Sequence, residues 1–216
     1  MQNRLINFAQ SLGLPLTAAQ ADTLLKYAEL VLQKKDFLNL TGAADLAELV
    51  NRHLCDGLVC AAKIYAMSKI KGLETFTAAD MGAGAGFIGL TLAVALPQAQ
   101  VTLVESIEKR CAFMNWAALN ANIKNAKIKN ARLGQNAKWK FDFVTERAMG
   151  QLPDILGVCL AAVKPGGVFI AYQGEHPQAD QTDPAKYGAH FLGLEPYVLP
   201  VDDGKKRHLA LFAKND

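Results

Sequence analysis

The chain has 216 residues, 51% hydrophobic and 20% charged, enough for one α/β domain with a small helical extension and too apolar for a disordered chain. A formal net charge of +3 permits a nucleic-acid partner without requiring one. The longest apolar run, Ile155–Val163, is far too short to span a bilayer, the start Met1–Ile6 lacks the apolar stretch of a signal peptide, and Cys55, Cys60, Cys111 and Cys159 form no C-x-x-C pair; a cytoplasmic protein with reduced thiols, no membrane segment and no metal site is expected.

Up to about residue 70 the pattern is helical. Thr17-x-x-Gln20 reads as a capping box, in which the hydroxyl accepts from an early helix N–H and the amide reaches back. Leu24, Leu25, Ala28, Val31 and Leu32 follow at helical spacing, and Asp45–Met67 continues with Leu46, Leu49, Val50, Leu54 and Leu58. Lys69-Ile70-Lys71-Gly72 breaks the pattern, so the chain divides into a helical extension, 1–72, packed on a main domain, 73–216. From there strands are expected at Thr75–Met81, Gln100–Glu105, Ala126–Ala131, Phe141–Thr145 and Gly167–Tyr172, with helices at Phe87–Leu96, Ile107–Asn122 and Gln151–Val163. That alternation means right-handed crossovers and a parallel sheet, a Rossmann-like α/β fold. Pro165-Gly166-Gly167 reads as the turn between the last of those helices and the fifth strand. Glu195–Val201 and His208–Ala213, joined at Asp202-Asp203-Gly204, predict a terminal antiparallel hairpin.

The sharpest motif is Asp80-Met81-Gly82-Ala83-Gly84-Ala85-Gly86-Phe87-Ile88-Gly89. It follows a strand and opens a helix, where glycines allow a tight turn and a close ligand approach. Gly84-x-Gly86-x-x-Gly89 fits a dinucleotide fingerprint, and with it an NAD(P)-dependent oxidoreductase. Gly82-x-Gly84-x-Gly86 behind an acid fits an S-adenosylmethionine loop. Asp80 favours the second, because a carboxylate suits the amino group of the cofactor's methionine and repels a pyrophosphate. Glu105, ending the next strand, suits ribose hydroxyls in either class. A purely structural turn is the remaining alternative.

Phe141-Asp142-x-Val144, a helix, then Lys164-Pro165-Gly166-Gly167 resembles class I S-adenosylmethionine-dependent methyltransferases. Several segments in order resemble one family more specifically: Asn39-Leu40-Thr41, Arg52-His53-Leu54-Cys55-Asp56, Gly86-Phe87-Ile88-Gly89, Glu105–Arg110, Thr145-Glu146-Arg147-Ala148 and Arg207-His208-Leu209. From about residue 35 onward the chain resembles the bacterial small-subunit ribosomal RNA methyltransferase G family, also called glucose-inhibited division protein B. The resemblance implies N7 methylation of a guanine in the decoding-region loop of 16S rRNA. It implies a cofactor site lined by Gly82, Phe87 and Arg147, with backbone near Leu133 and Gly134 beside the adenine. The chain departs from the family's usual residues at Ile88 (Pro), Leu133-Gly134 (Ala-Glu) and Gln173-Gly174 (Lys-Gly); a relative that binds the ribosome without turnover is an alternative these departures keep open.

Guanine N7 carries a lone pair and no proton, so positioning suffices and no general base is expected. Arg147, at the carboxyl end of the fourth strand, is the expected catalytic residue, holding the methionine carboxylate or the guanine O6; by position alone it is equally a surface partner of Glu146. Asn39, Arg52 and His53 are expected to cover the pocket or grip the RNA, although a lone histidine is as readily structural. Arg207 and His208 are candidates for RNA phosphate, or belong to a solvated turn. Lysines and arginines recur at 109–110, 124–140 and 205–207, a source of phosphate affinity if they share a face. Trp116 lies in an apolar helical pattern and reads as core. A monomer is expected.

Overall fold

The computed structural model describes residues 1–132, 134, 138–201 and 205–216. The expected turn at Asp202-Asp203-Gly204 and the expected adenine contact at Leu133 lie outside the described residues.

Helix α1 (Gln2–Ser11) buries Leu5 and Ala9 and leads into α2 (Ala18–Leu38). The capping box forms: the Thr17 hydroxyl accepts from the Gln20 N–H at 3.2 Å, and Gln20 Oε1 accepts from the Thr17 N–H at 2.9 Å, satisfying two donors at the helix start. The Gln20 amide then donates to the Val94 carbonyl at 2.7 Å, tying α2 to the main domain. Asn39 ends α2 in the left-handed conformation, φ 49°.

The helix expected from Asp45 to Met67 is instead three pieces: α3 (Leu46–Leu49), a π-helical turn (Val50–Leu54) and α4 (Cys55–Ile70). Asp45 caps α3 by accepting from the Glu48 N–H at 2.8 Å. Leu49, Val50, Leu54 and Leu58 are all buried, so the apolar spacing survives while the hydrogen-bond step widens. Such turns often re-aim side chains at functional sites, and this one carries Arg52 and His53.

β1 (Phe76–Met81), β2 (Ala99–Glu105), β3 (Ala126–Asn130), β4 (Phe141–Glu146) and β5 (Val163–Gln173) are parallel, with α5 (Phe87–Ala95) between β1 and β2, α6 (Glu108–Asn120) between β2 and β3, and α7 (Leu152–Ala161) between β4 and β5. β6 (Ala189–Tyr197) and β7 (Arg207–Lys214) add an antiparallel pair, giving the seven-stranded order β3-β2-β1-β4-β5-β7-β6. The strands alternate between two cores. Ala78, Leu103, Val168 and Ile170 face α5, α6 and the N-terminal helices, while Ala79, Val104, Phe169 and Ala171 face α7. The N-terminal helices therefore share one core with the main domain. α4 and α5 meet closely: a Cβ at Gly57 would stand 2.7 Å from Thr91 Cβ and 3.0 Å from the Phe87 carbonyl oxygen.

Two sequence expectations need correction. β5 begins at Val163, and Pro165-Gly166-Gly167 is a bulge inside it rather than the turn before it. The register runs Phe141↔Val163, then Phe143↔Val168, and Gly166 takes φ 67°, so the extra residues loop out of the ladder without ending it. The hairpin's first arm is Ala189–Tyr197, not Glu195–Val201. A register shift between Phe191 and Gly193 breaks the two-residue alternation that would have revealed it. Trp116 is partly buried against the first core, with the Lys34 ammonium 5.7 Å from its ring centre.

Candidate active site

β1 and β4 lie side by side at the point where the chain reverses its direction of travel across the sheet, and crevices at such points face the carboxyl ends of the strands. The glycine loop fills that end of β1. Gly82, Gly84 and Gly86 have φ 69°, 60° and 91°, values that L side chains rarely adopt. The N–H groups of Gly82 and Ala83 donate to the Val104 carbonyl at 2.9 and 3.0 Å. Tyr27, fully buried on α2, donates its hydroxyl to the Ala85 carbonyl at 2.9 Å. The loop is thus fixed from both sides.

It opens onto a cavity of about 500 Å³. The glycine loop with Phe87 and Ile88 forms one wall. Leu40–Ala43 with Glu48, Arg52 and His53 forms another, and Asp80, Arg110, Arg147 and Ala148 complete it. Asp80 is buried at the end of β1, and its Oδ2 accepts from the Gly89 N–H at 2.8 Å. Burial pushes this carboxyl up to about 7, opposed by the Gly89 bond and the Arg147 charge. Glu146, also buried, is pushed up to about 7 by its burial. Glu105 spends its oxygens on the backbone: Oε2 accepts from the Gly84 N–H and Oε1 from the Ile107 N–H, both at 2.9 Å.

Arg147, the first residue after β4, is mostly buried and charged. Its Nη1 donates to Asp56 Oδ2 at 2.7 Å and its Nη2 to His53 Nδ1 at 3.4 Å. The guanidinium carbon lies 5.7 Å from the Phe87 ring centre. His53 stacks on Phe87, with ring centres 4.2 Å apart and planes 7° from parallel. A guanidinium has no acceptor, so His53 Nδ1 accepts, and Nε2–H donates to the Thr41 hydroxyl at 2.8 Å. Burial, then the Arg147 and Arg52 charges, push His53 down to about 3, leaving it neutral with both nitrogens engaged.

The structure brings Asp80, Gly82, Gly84, Phe87, Arg147, Arg52 and His53 to one cavity. Gly86 and Glu105 stand behind its wall. Asn39 is exposed just before the lining segment, its conformation serving the end of α2. Gly134 is exposed, with φ 86°, near Val158. Arg207 and His208 lie on β7, away from the lining; His208 Nδ1 donates to the Gly174 carbonyl at 3.0 Å. Gln173, where the family usually has Lys, accepts from the Gln178 N–H at 3.0 Å. Sequence reasoning gave no role to Thr41, Asp56, Tyr27 or Tyr197. Thr41 and Asp56 had a signal, both lying in segments that carry the family resemblance and Asp56 one helical turn after His53; the contacts of the two tyrosines come from distant elements.

Parallel strands ending in an antiparallel pair, with a glycine loop and acid at the reversal point, define a Rossmann-like class I methyltransferase fold. Among solved structures the chain is similar to magnesium protoporphyrin IX methyltransferase from Synechocystis PCC 6803 with bound SAM, with TM-score 0.60, 14% identity, and 85% of this chain and 91% of that one covered. It is also similar to the putative RNA methyltransferase PH1948 from Pyrococcus horikoshii, with TM-score 0.51, 13% identity, and coverage of 74% and 85%. Residues 20–210 match the GidB family, described as rRNA small subunit methyltransferase G, and the chain belongs to that family. Curated relatives named ribosomal RNA small subunit methyltransferase G include one from Leptothrix cholodnii, 29% identical with 95% of this chain and 93% of the relative covered. Another, from Aromatoleum aromaticum, is 31% identical with 94% of each covered.

Proposed function

We propose that this protein transfers a methyl group from S-adenosylmethionine to N7 of a guanine in 16S rRNA, acting on the small ribosomal subunit in the cytoplasm. One observation carries the reading. The cavity at the glycine loop presents the buried Asp80 carboxylate and the Arg147 guanidinium together, which matches the ammonium and carboxylate of a methionine moiety. A pyrophosphate would meet Asp80 as a like charge, which disfavours the dinucleotide reading.

The residues fit the cofactor in a second respect. A Cβ at Gly84 would meet only the Gly82 carbonyl oxygen, at 4.0 Å, so the bare backbone leaves space for a ligand. When bound, S-adenosylmethionine supplies an electrophilic methyl group whose bonding pair departs onto sulfur. Asp80 would hold its ammonium and Arg147 its carboxylate, fixing the methionine end of the cofactor against the glycine loop. His53, neutral and stacked on Phe87 with both nitrogens engaged, is a fixed wall and not a proton acceptor. Guanine N7 attacks through its own lone pair, with no proton to remove. Catalysis therefore rests on alignment, worth several kcal/mol when reacting atoms are held about 3–3.5 Å apart.

The test is transfer of labelled methyl from S-adenosylmethionine to small subunits lacking N7-methylguanosine, followed by mass mapping of the modified base. One new N7-methylguanosine is expected. Arg147→Ala should lower transfer at least about a hundredfold and weaken cofactor binding. Loss of transfer with cofactor affinity intact would instead assign Arg147 to the guanine O6. Label on another base or another molecule would overturn the substrate.

A further inference from the structure

Arg147 does not hold its own place. Arginine has several rotatable bonds, and a guanidinium at a strand end samples many positions unless something fixes it. The fixing group is Asp56, on the first turn of α4, whose Oδ2 accepts from Arg147 Nη1 at 2.7 Å. A carboxylate can swivel about its last torsion, which is broad. Here it does not, because its other oxygen, Oδ1, accepts from the Tyr197 hydroxyl at 2.6 Å. The Tyr172 hydroxyl donates to the Asp56 backbone carbonyl at 2.9 Å. The two tyrosine rings meet edge to face, with centres 6.4 Å apart and planes at 86°.

We propose that Asp56 and Tyr197 are positioning residues, and that the C-terminal hairpin orients the Arg147 guanidinium in the pocket through the Tyr197–Asp56–Arg147 chain of hydrogen bonds. Each carboxylate oxygen has one partner from a different element, so the carboxylate has one orientation and presents one oxygen to Arg147. With one N–H on Asp56 and one on His53, the guanidinium is set in one plane against the pocket. Tyr197 is the last residue of β6, the hairpin's first arm, opposite Arg207. The site is thus completed by a residue 50 positions after Arg147 that does not line the cavity. The inference rests on the methyltransferase reading for its consequence in catalysis, but not for the placement of Arg147.

Tyr197→Phe removes the hydroxyl and keeps the ring against Tyr172. In nitrogen-15 spectra, assigned with Arg147→Lys, the Arg147 guanidinium should show hindered rotation in the unaltered protein and averaged signals in Tyr197→Phe. Calorimetry with S-adenosylmethionine and single-turnover methyl transfer then complete a double-mutant cycle. In whichever quantity Arg147→Ala itself lowers, Tyr197→Phe should cost about three- to tenfold when Arg147 is present and under twofold when it is Ala, because a residue acting through Arg147 has nothing left to orient. Asp56→Asn, which keeps the shape and loses the charge, should cost about thirtyfold or more on the same comparison. An unchanged guanidinium spectrum in Tyr197→Phe, or an equal loss with and without Arg147, overturns the proposal. If the unaltered protein neither binds the cofactor nor methylates the subunit, the proposed function fails, while the spectra still decide whether Tyr197 orients Arg147.

Discussion

Gly84 shows how a single backbone angle serves the pocket. Its φ of 60° strains a β-branched residue by roughly 1–2 kcal/mol, and the space beside it is open to the cavity rather than filled by the protein. Gly84→Val should therefore melt within several degrees of the original protein yet weaken S-adenosylmethionine binding about a hundredfold or more by calorimetry, because its methyl groups fall where a ligand enters; equal affinity would make the loop merely structural. Asp80 gives the pocket a pH dependence. Its carboxyl is raised to about 7 by burial, so its contribution to folding stability is full below the ordinary carboxylate range and is lost as pH rises through about 7. Cofactor binding has the opposite sign, since an ammonium needs the ionised form. Affinity should rise about tenfold from about pH 6 to 8, the ratio of ionised fractions for one group near 7. The rise should persist in Glu146→Gln and vanish in Asp80→Asn. At this scale the glycines and Asp80 were legible, because they lie in one contiguous stretch with a fixed place between strand and helix. The backbone bonds of Glu105, whose oxygens accept from the Gly84 and Ile107 N–H groups, are a local geometry that residue spacing does not reveal; each oxygen keeps a second lone pair for a ribose hydroxyl.

Among elements, the α4–α5 contact holds the two sides of the pocket together. Gly57 lets α4 lie against Thr91 and the carbonyl of Phe87, and α4 begins where His53 and Asp56 are presented to the site. A methyl group there has no space to enter, since one of its neighbours is backbone. Gly57→Ala should destabilise by about 1–3 kcal/mol, lowering the melting temperature by several degrees, and should also weaken cofactor binding by moving Phe87. A stability equal to the original protein's would show that the helices can part cheaply. The parallel strands and their helices are readable because short β-type segments alternate with helical ones between turn residues; only β3, Ala126-Lys127-Ile128-Lys129-Asn130, lacks an apolar run, as befits an edge strand. The π-helical turn left no trace, since Leu49, Val50, Leu54 and Leu58 are buried in either geometry. The β5 bulge was read as a turn because glycine and proline mark both. β6 was placed too late because its alternation slips at Gly193.

On the whole molecule, β3 is an edge strand with Lys127 and Lys129 exposed. Edge lysines discourage pairing with other chains, and the same charges suit phosphate. The paired ends of β2 and β3, Glu105↔Asn130, bring this edge up beside the glycine loop, since Glu105 binds Gly84. Lys127→Glu with Lys129→Glu should weaken binding to small-subunit RNA and reduce the slope of log affinity on log salt by about 1–2, with S-adenosylmethionine affinity unchanged. An unaltered slope would leave these lysines the edge-protecting task alone. Among the described residues no helix is long and apolar enough to cross a membrane.

The order of the sheet also sets an order in time. β7 lies between β5 and β6, yet the ribosome makes it after both. Until it emerges, the outer edge of β5 is open, β6 has no neighbour, and Tyr197 has nothing to hold it over Asp56. Folding that proceeds from the N-terminus therefore builds the glycine loop early and finishes the orientation of Arg147 last. A chain stalled or clipped before Arg207 would contain every residue that lines the cavity, with nothing to hold Tyr197 against the free oxygen of the Asp56 carboxylate.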